Sequence, residues 1–456
     1  MLVARPIWSD ELFTIWVARL PAPGIVSVLR DDSGPPGFYL VAKPFVAAGE
    51  LAGDDRAVRA LSFLAVLVLL LATRRLPRGA RRAALVLFGT SALLGLYASE
   101  GRAYGLLALL IFLLYRETLE APERPRQLAA VCILGALALY THYLAIPAVA
   151  ALLVLAAAAR RLRTAAALAG SAILFAPWIP ILAAQPPGAV AWMREPAGVS
   201  AAGFLSALGG AGRVPLPFGV SPPEAVFLAG IAVALLLAAA VARAAARDRA
   251  VRDAALFAAA VLLLSLILSL FLPFAFAGRT EMAVLPVWLW AVARTAGASP
   301  LARGGVAASA ILGVLTLGAA ALGPHPPTAA ARAASAIEKL ARPADTLFAG
   351  PGLYLPFRIA ADRSRLAPRL VAYPAAVARH PGWWVPEAPT AADAAELARA
   401  VSGSGAVWML VPPGFVTPDV RAALSVGGSV RELSLRPEAV LLRRTRGGAG
   451  TEAPPP

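Results

Sequence analysis

The 456 residues include one cysteine, two lysines and three histidines, and only 15% of them are charged. Each scarcity excludes something. With Cys132 alone no intrachain disulfide can form, and its place inside an apolar run makes it a small core hydrophobe that says nothing of redox compartment. A soluble domain carries about a quarter charged residues. A chain that is 59% hydrophobic, with mean hydropathy +0.71, is instead an integral membrane protein. No solenoid-type repeat and no cleavable leader is legible. Arginine supplies nearly all the positive charge, Lys43 and Lys339 being the only lysines, in an alanine-rich background that reads as compositional bias.

The net charge of +16 is placed as informatively as it is large. Five polar stretches, 74–82, 116–126, 160–163, 243–253 and 294–303, hold 17 Arg against 5 acidic residues, or +12 of the total. Short arginine-rich loops between apolar runs obey the positive-inside rule and are expected to be cytoplasmic, so nucleic acid is not expected as a partner.

About 20 helical residues cross a bilayer core, fewer where it thins. On that ruler crossings fall near 57–73, 83–98, 103–115, 128–141, 144–159, 164–182, 225–243, 254–273, 283–297 and 304–323. An eleventh run, 35–50, is interrupted at Lys43-Pro44 and is expected to be a short re-entrant or interfacial helix broken by Pro44. Ten crossings put every basic loop on one side. The segments 99–102, 142–143, 183–224, 274–282 and everything after 324 are then expected outside.

From about 324 the composition turns mixed, with helices expected at 329–341 and 391–401 and strands at 346–349, 407–411 and 438–443. The expected organisation is therefore an extracytoplasmic segment with an acidic motif (1–34), a transmembrane bundle (35–323), a small α/β domain (324–446) and a disordered tail (447–456).

Ionisable residues at membrane edges are costly, which makes them informative. Trp8-Ser9-Asp10-Glu11 is the first group, and Asp31-Asp32-Ser33-Gly34-Pro35-Pro36-Gly37-Phe38-Tyr39 follows. Asp10 and Glu11 either cap a helix over 12–20 or do chemistry, and Asp32 either opens the next helix or joins them. In Ser99-Glu100-Gly101-Arg102-Ala103-Tyr104-Gly105, Glu100 and Arg102 either bridge one another or leave Arg102 to hold a lipid-linked phosphate through its planar fork of donors. Tyr140-Thr141-His142-Tyr143 occupies another outer helix end, where a lone His is more often a structural hydrogen-bonding residue than a ligand. Arg279 and Glu281, between Pro273 and Pro286, make a fourth polar point. All four groups fall on one membrane face, and that coincidence carries more weight than any of them alone.

On these residues the chain resembles the GT-C superfamily of membrane glycosyltransferases, in particular family 39-like bacterial enzymes related to protein O-mannosyltransferases and lipid A aminoarabinose transferases. Residues 8–11 match the family's Trp-x-Asp-Glu, and residues 32–39 approach its Asp-x-His-Pro-Pro-Leu-Tyr-Tyr. Glu100-Gly101-Arg102-Ala103-Tyr104 matches Glu-x-Arg-x-Tyr, and residues 140–143 match Tyr-Thr-His-Tyr. The match keeps order and spacing over roughly 6–300, while the C-terminal part is similar only in kind. Gly34 stands where the family usually has His. No apolar run precedes the Asp-Glu segment, so a start upstream of Met1 is one reading.

The resemblance implies a GT-C-like helix bundle with a small extracytoplasmic α/β domain, in a bacterial inner membrane. It implies inverting transfer of a sugar from a polyprenyl-phosphate carrier to an acceptor of undetermined class. Asp10 is expected as general base, with Glu11 or Asp32 orienting it. Arg102 is expected on the lipid phosphate, with Lys43 and Arg279 behind it. Glu100, Tyr104, His142 and Tyr39 complete the candidates. Asp10 and Glu11 also suit a divalent metal such as Mg²⁺ or Mn²⁺, although related O-transferases work without one. A transporter or lipid flippase, and a non-catalytic GT-C-like subunit, are the rival readings.

Overall fold

A computed structural model describes residues 5–212, 223–323, 328–362, 366–382, 388–435 and 439–446. The expected tail at 447–456 and the boundary near 324 lie outside the described residues. The chain divides into two units, one of residues up to Arg5 with 17–325, the other of 6–16 with the residues from 326 on.

The helical unit is built from successive apolar segments. The chain passes through α1 (Ser9–Arg19), of which only the residues from Val17 belong to this unit, then α2 (Ala22–Arg30), α3 (Gly37–Ala52), α4 (Arg59–Ala72), α5 (Arg78–Thr90), α6 (Ala92–Ala98), α7 (Tyr104–Leu119) and α8 (Pro125–Thr141). It continues through α9 (Ala145–Ala158), α10 (Leu162–Phe175), α11 (Ile179–Ala184), α12 (Ala197–Leu208), α13 (Glu224–Ala245), α14 (Arg249–Ser269), α15 (Leu285–Ala296) and α16 (Pro300–Leu322). Each of the ten apolar runs contains a helix. Among the described residues four segments, 162–184, 224–245, 249–269 and 300–322, are long and apolar enough to cross a membrane. The others are shorter.

Local chemistry sets the ends. Pro300 opens α16 behind Ser299, whose hydroxyl accepts from the Ala302 amide, and Asp248 caps α14 by accepting from the Ala250 amide. Glu224 and Arg243 sit at the termini of α13 that their charges favour. Outward positions remain apolar, with Phe271 and Leu322 each 76% exposed, as a lipid-facing surface requires.

One feature differs from expectation. Pro44 does not break its segment: α3 runs through it as one helix, held by burial of Phe38, Tyr39, Ala42, Val46 and Gly49. That packing offsets the roughly 3 kcal/mol that an interior proline costs a helix through its missing amide and its ring clash. The stretch 183–224 contains α12, whose end lies so close to α13 that a Cβ on Gly209 would stand 1.9 Å from the Gly230 carbonyl oxygen. Small residues permit such backbone approach.

The second unit holds α17 (Ala329–Leu340), α18 (Tyr354–Asp362), α19 (Ala391–Ser402) and α20 (Pro418–Ser425) around a five-stranded sheet. Its strands are β1 (Thr346–Ala349), β2 (Arg369–Ala372), β3 (Val407–Val411), β4 (Gly428–Leu435) and β5 (Ala439–Arg446), in the order β2-β1-β3-β5-β4. β1 is parallel to β2 and β3, and β5 is antiparallel to β3 and β4. Alternation along β3 sends Trp408 and Leu410 into a core with α17 and α18, and Val407, Met409 and Val411 into a core with α19 and α20. Buried Asp345 ties this sheet together, accepting from the Ala406 amide (2.9 Å), the Trp408 indole (3.0 Å) and the Arg342 amide (3.1 Å).

Candidate active site

In the helical unit Glu100, Arg102 and Tyr104 lie at the connection between α6 and α7. Arg59, 1% exposed, donates to the Arg5 carbonyl at 3.0 Å, and Arg5 donates to the Ser99 carbonyl at 3.4 Å. Ser62 in α4 donates to the Arg102 carbonyl at 2.8 Å. Gly101 lies against Val58, where a Cβ would stand 2.6 Å from the valine Cγ1. The backbone bearing Glu100, Arg102 and Tyr104 is thus fixed on three sides.

From there an aromatic stack runs across the bundle. The Tyr97 and Tyr104 rings are 4.5 Å apart, Tyr104 and His142 5.1 Å, and the Arg279 guanidinium lies 5.7 Å from the Tyr104 ring and from the Phe276 ring. Tyr97 also donates to the Gly278 carbonyl at 2.6 Å, tying the stack to the loop that carries Arg279. Burial, and then the nearby charges of Arg102 and Arg279, lower His142 from 6.5 to about 3, so its imidazole is neutral. Its Nδ1 accepts from the Leu144 amide at 3.1 Å, which leaves the proton on Nε2.

Glu281 is fully buried beside this loop, and the Gly278 amide stands 2.9 Å from both its carboxylate oxygens. Burial raises it from 4.5 to about 7, against hydrogen bonds that lower it, and the charge of Glu195 adds to the rise. Glu195 accepts from the Ser200 hydroxyl at 2.9 Å and from the Ala277 amide at 3.4 Å. Motif reading missed Glu195. Its only signal was an acid beside Arg194 in a stretch, 183–224, with few charges.

Asp32, 8% exposed, lies near enough to Tyr143 for its charge to act on the phenol, which burial pushes up to about 12. Tyr143 donates to Gln185 at 2.8 Å and accepts from the Trp178 indole at 2.9 Å. Gln185 in turn donates to the carbonyls of Leu29 (2.7 Å) and Gly34 (3.1 Å), clasping the Asp32 turn. Gly34 has φ +130°, a conformation that L side chains rarely adopt, so glycine is the residue this turn tolerates. Tyr39 is buried edge-on to Phe38.

Lys43 is placed elsewhere. Its ammonium donates to the carbonyls of Ala18 (2.8 Å) and Leu20 (2.5 Å), at the C-terminal end of α1. Asp10 and Glu11 belong to the other unit, in the first turn of α1, where buried Glu11 accepts from the Trp8 amide at 3.4 Å and the Thr14 hydroxyl donates to the Asp10 carbonyl at 3.0 Å. Among the described residues no three His, Cys, Asp or Glu gather as a metal site.

No family model matches the chain, and no curated protein matches it. Two solved structures do, both of ArnT from Cupriavidus metallidurans. The apo form has TM-score 0.52 and the form bound to undecaprenyl phosphate 0.56, each at 15% identity, covering 95% of this chain and 96% of ArnT. The chain has the ArnT fold. ArnT covers nearly the whole length of this chain, the C-terminal part included, where the sequence motifs had run only to about residue 300. The expected GT-C-like helix bundle with a small α/β domain is therefore present, in an integral membrane protein.

Proposed function

We propose that the protein is a membrane glycosyltransferase that transfers a sugar from a polyprenyl-phosphate carrier to an acceptor, with inversion at the anomeric carbon. The observation that carries this reading is the gathering of Arg102 and Arg279 around Tyr104 and neutral His142, within a fold shared with a protein solved with undecaprenyl phosphate. Two guanidiniums at the ends of membrane helices suit a lipid-linked phosphate. As the bond between the anomeric carbon and the phosphate oxygen breaks, the phosphate leaves with the electron pair, and the guanidiniums stabilise its growing charge. The acceptor oxygen attacks the anomeric carbon from the opposite side. Asp10 takes its proton.

Glu11 and Asp32 serve as orienting acids, with Glu100 and Tyr39 beside the substrates. Asp10 and Glu11 are also the carboxylates that would hold a divalent ion, supplying oxygen ligands of the kind such ions take. The arginine-rich loops support a topology with the Arg102–Arg279 face and the α/β domain (324–446) outside the cytoplasm, in a bacterial inner membrane. The segment 1–34 would lie on that face, and 35–323 would form the bundle.

The test is transfer of radiolabel from polyprenyl-phosphate sugars in membranes containing wild type, Asp10→Asn or Arg279→Gln at matched expression. Wild type is expected to transfer, Asp10→Asn to be inactive, and Arg279→Gln to fall roughly 100-fold, as when one transition-state donor is lost. Undiminished transfer by Asp10→Asn would remove its role as base. No transfer from any donor, with polyprenyl phosphate still bound, would leave a lipid-binding subunit.

A further inference from the structure

The helices that frame the candidate site have a second meeting place. α4 and α7 begin at the Arg102 connection, α9 follows His142, and α14 and α15 flank the Arg279 loop. Their opposite ends surround an open cavity of about 740 Å³ whose lining includes Pro77, Arg116, Arg161, Asp248, Arg249 and Arg294. The 16 residues of α7 separate the two places by about 24 Å at the helical rise of about 1.5 Å per residue. The cavity therefore belongs to the other face of the membrane, the face of the arginine-rich loops.

Its charge is mostly cancelled from within. Arg116 pairs with Glu120 at 2.8 Å, Arg294 with Asp248 at 2.6 Å, and Arg249 with Asp253 at 3.5 Å. That matches all three lining acids and leaves Arg161 as the surplus cation; its ionic contact is with Glu123, outside the lining, at a long 3.9 Å. Trp290 lies buried under the Arg294 guanidinium at 5.6 Å, and buried Tyr115 donates to the Ala250 carbonyl at 3.3 Å, so the two aromatics brace the wall from behind. Leu162 and Leu256, adjoining the cavity residues, are 69% and 49% exposed. The one positive charge that the lining carries beyond its acids, together with the apolar flanks, fits a monoanionic phosphodiester that has acyl chains attached.

We propose that this cavity binds the headgroup of an anionic phospholipid from the leaflet opposite the candidate active site, with its phosphate against Arg161 and Arg249. Basic pockets between membrane helices take such headgroups. The bound lipid joins the ends of α7, α9, α14 and α15, and the inference stands whether or not the transferase reading holds.

The experiment uses the full chain, delipidated in non-ionic detergent, with its thermal unfolding midpoint followed against dioctanoyl phosphatidylglycerol, dioctanoyl phosphatidylcholine or inorganic phosphate. Binding to the folded state raises the midpoint. Phosphatidylglycerol is expected to bind roughly tenfold tighter than phosphatidylcholine, and the Arg161→Gln/Arg249→Gln pair to lose about tenfold of that affinity. Arg303→Gln, in another basic loop and outside the cavity, should bind as wild type does. If the double variant unfolds, Arg249→Gln alone serves, because that side chain is 67% exposed. Equal binding of the two lipids, or undiminished binding by the arginine variants, overturns the proposal. Stabilisation by inorganic phosphate equal to that by phosphatidylglycerol would assign the site to a soluble anion instead.

Discussion

Replacing Glu281 or His142 with Gln should tilt the pH dependence of stability in opposite directions. Glu281 keeps its proton in the folded state up to about 7 but loses it near 4.5 when unfolded, so its contribution falls as pH rises between those values. His142 behaves in the reverse sense. The unfolded chain binds its proton below 6.5 and the native site not until about 3, so its contribution grows as pH rises through that interval. Between pH 4.5 and 6.5 the two slopes oppose one another, each amounting to about 3 kcal/mol across the window. For His142 that is an upper value, because its ring keeps some accessible surface. Glu281→Gln removes the falling slope while keeping an oxygen to accept from the Gly278 amide. The variant should gain stability with rising pH where wild type changes little, and His142→Gln should lose it. Equilibrium unfolding in mixed micelles across this range measures both. Parallel curves for wild type and Glu281→Gln, or a tilt of the two variants in the same direction, would refute the buried environment assigned to these groups.

Gly209→Ala should destabilise the helical unit by about 3 kcal/mol, since its Cβ would lie 1.9 Å from a backbone oxygen of α13 and backbone cannot yield as a side chain does; unfolding in micelles reads it directly. Asp345→Ala should cost a further site-specific amount of about 3 kcal/mol by leaving two amides and the Trp408 indole without their acceptor. Limited proteolysis of the full chain should then cut within 345–411 faster than in wild type, with cleavage elsewhere unchanged.

What could be read from sequence followed from how local each signal is. Apolar runs are local, and every expected run contains a helix; β1 and β3 are local too, as short buried strands at 346–349 and 407–411. The short strand β2 and the mixed strand β4 carry little apolar pattern of their own and were not foreseen. Arg102, Tyr104, His142 and Arg279 come from three of the four polar points read at helix ends, which are countable once the crossings are. Partners across the fold were not legible. Lys43 had the charge for a phosphate but reaches the carbonyls ending α1, and Glu195 had no motif around it although it stands by Glu281. Distance in sequence hid both.

The strand order of the α/β domain also dictates an order of events while the chain is being made. β1, β2 and β3 precede β5, yet β5 lies between β3 and β4 and is the only strand that pairs with β4. Until it emerges, β3, buried at every position in the finished sheet, has one open edge carrying Val407, Trp408, Met409, Leu410 and Val411. An unpaired apolar edge invites pairing with another chain. The nascent domain is therefore most vulnerable to aggregation between synthesis of β3 and arrival of β5, and a translation pause in that interval would lengthen the exposure.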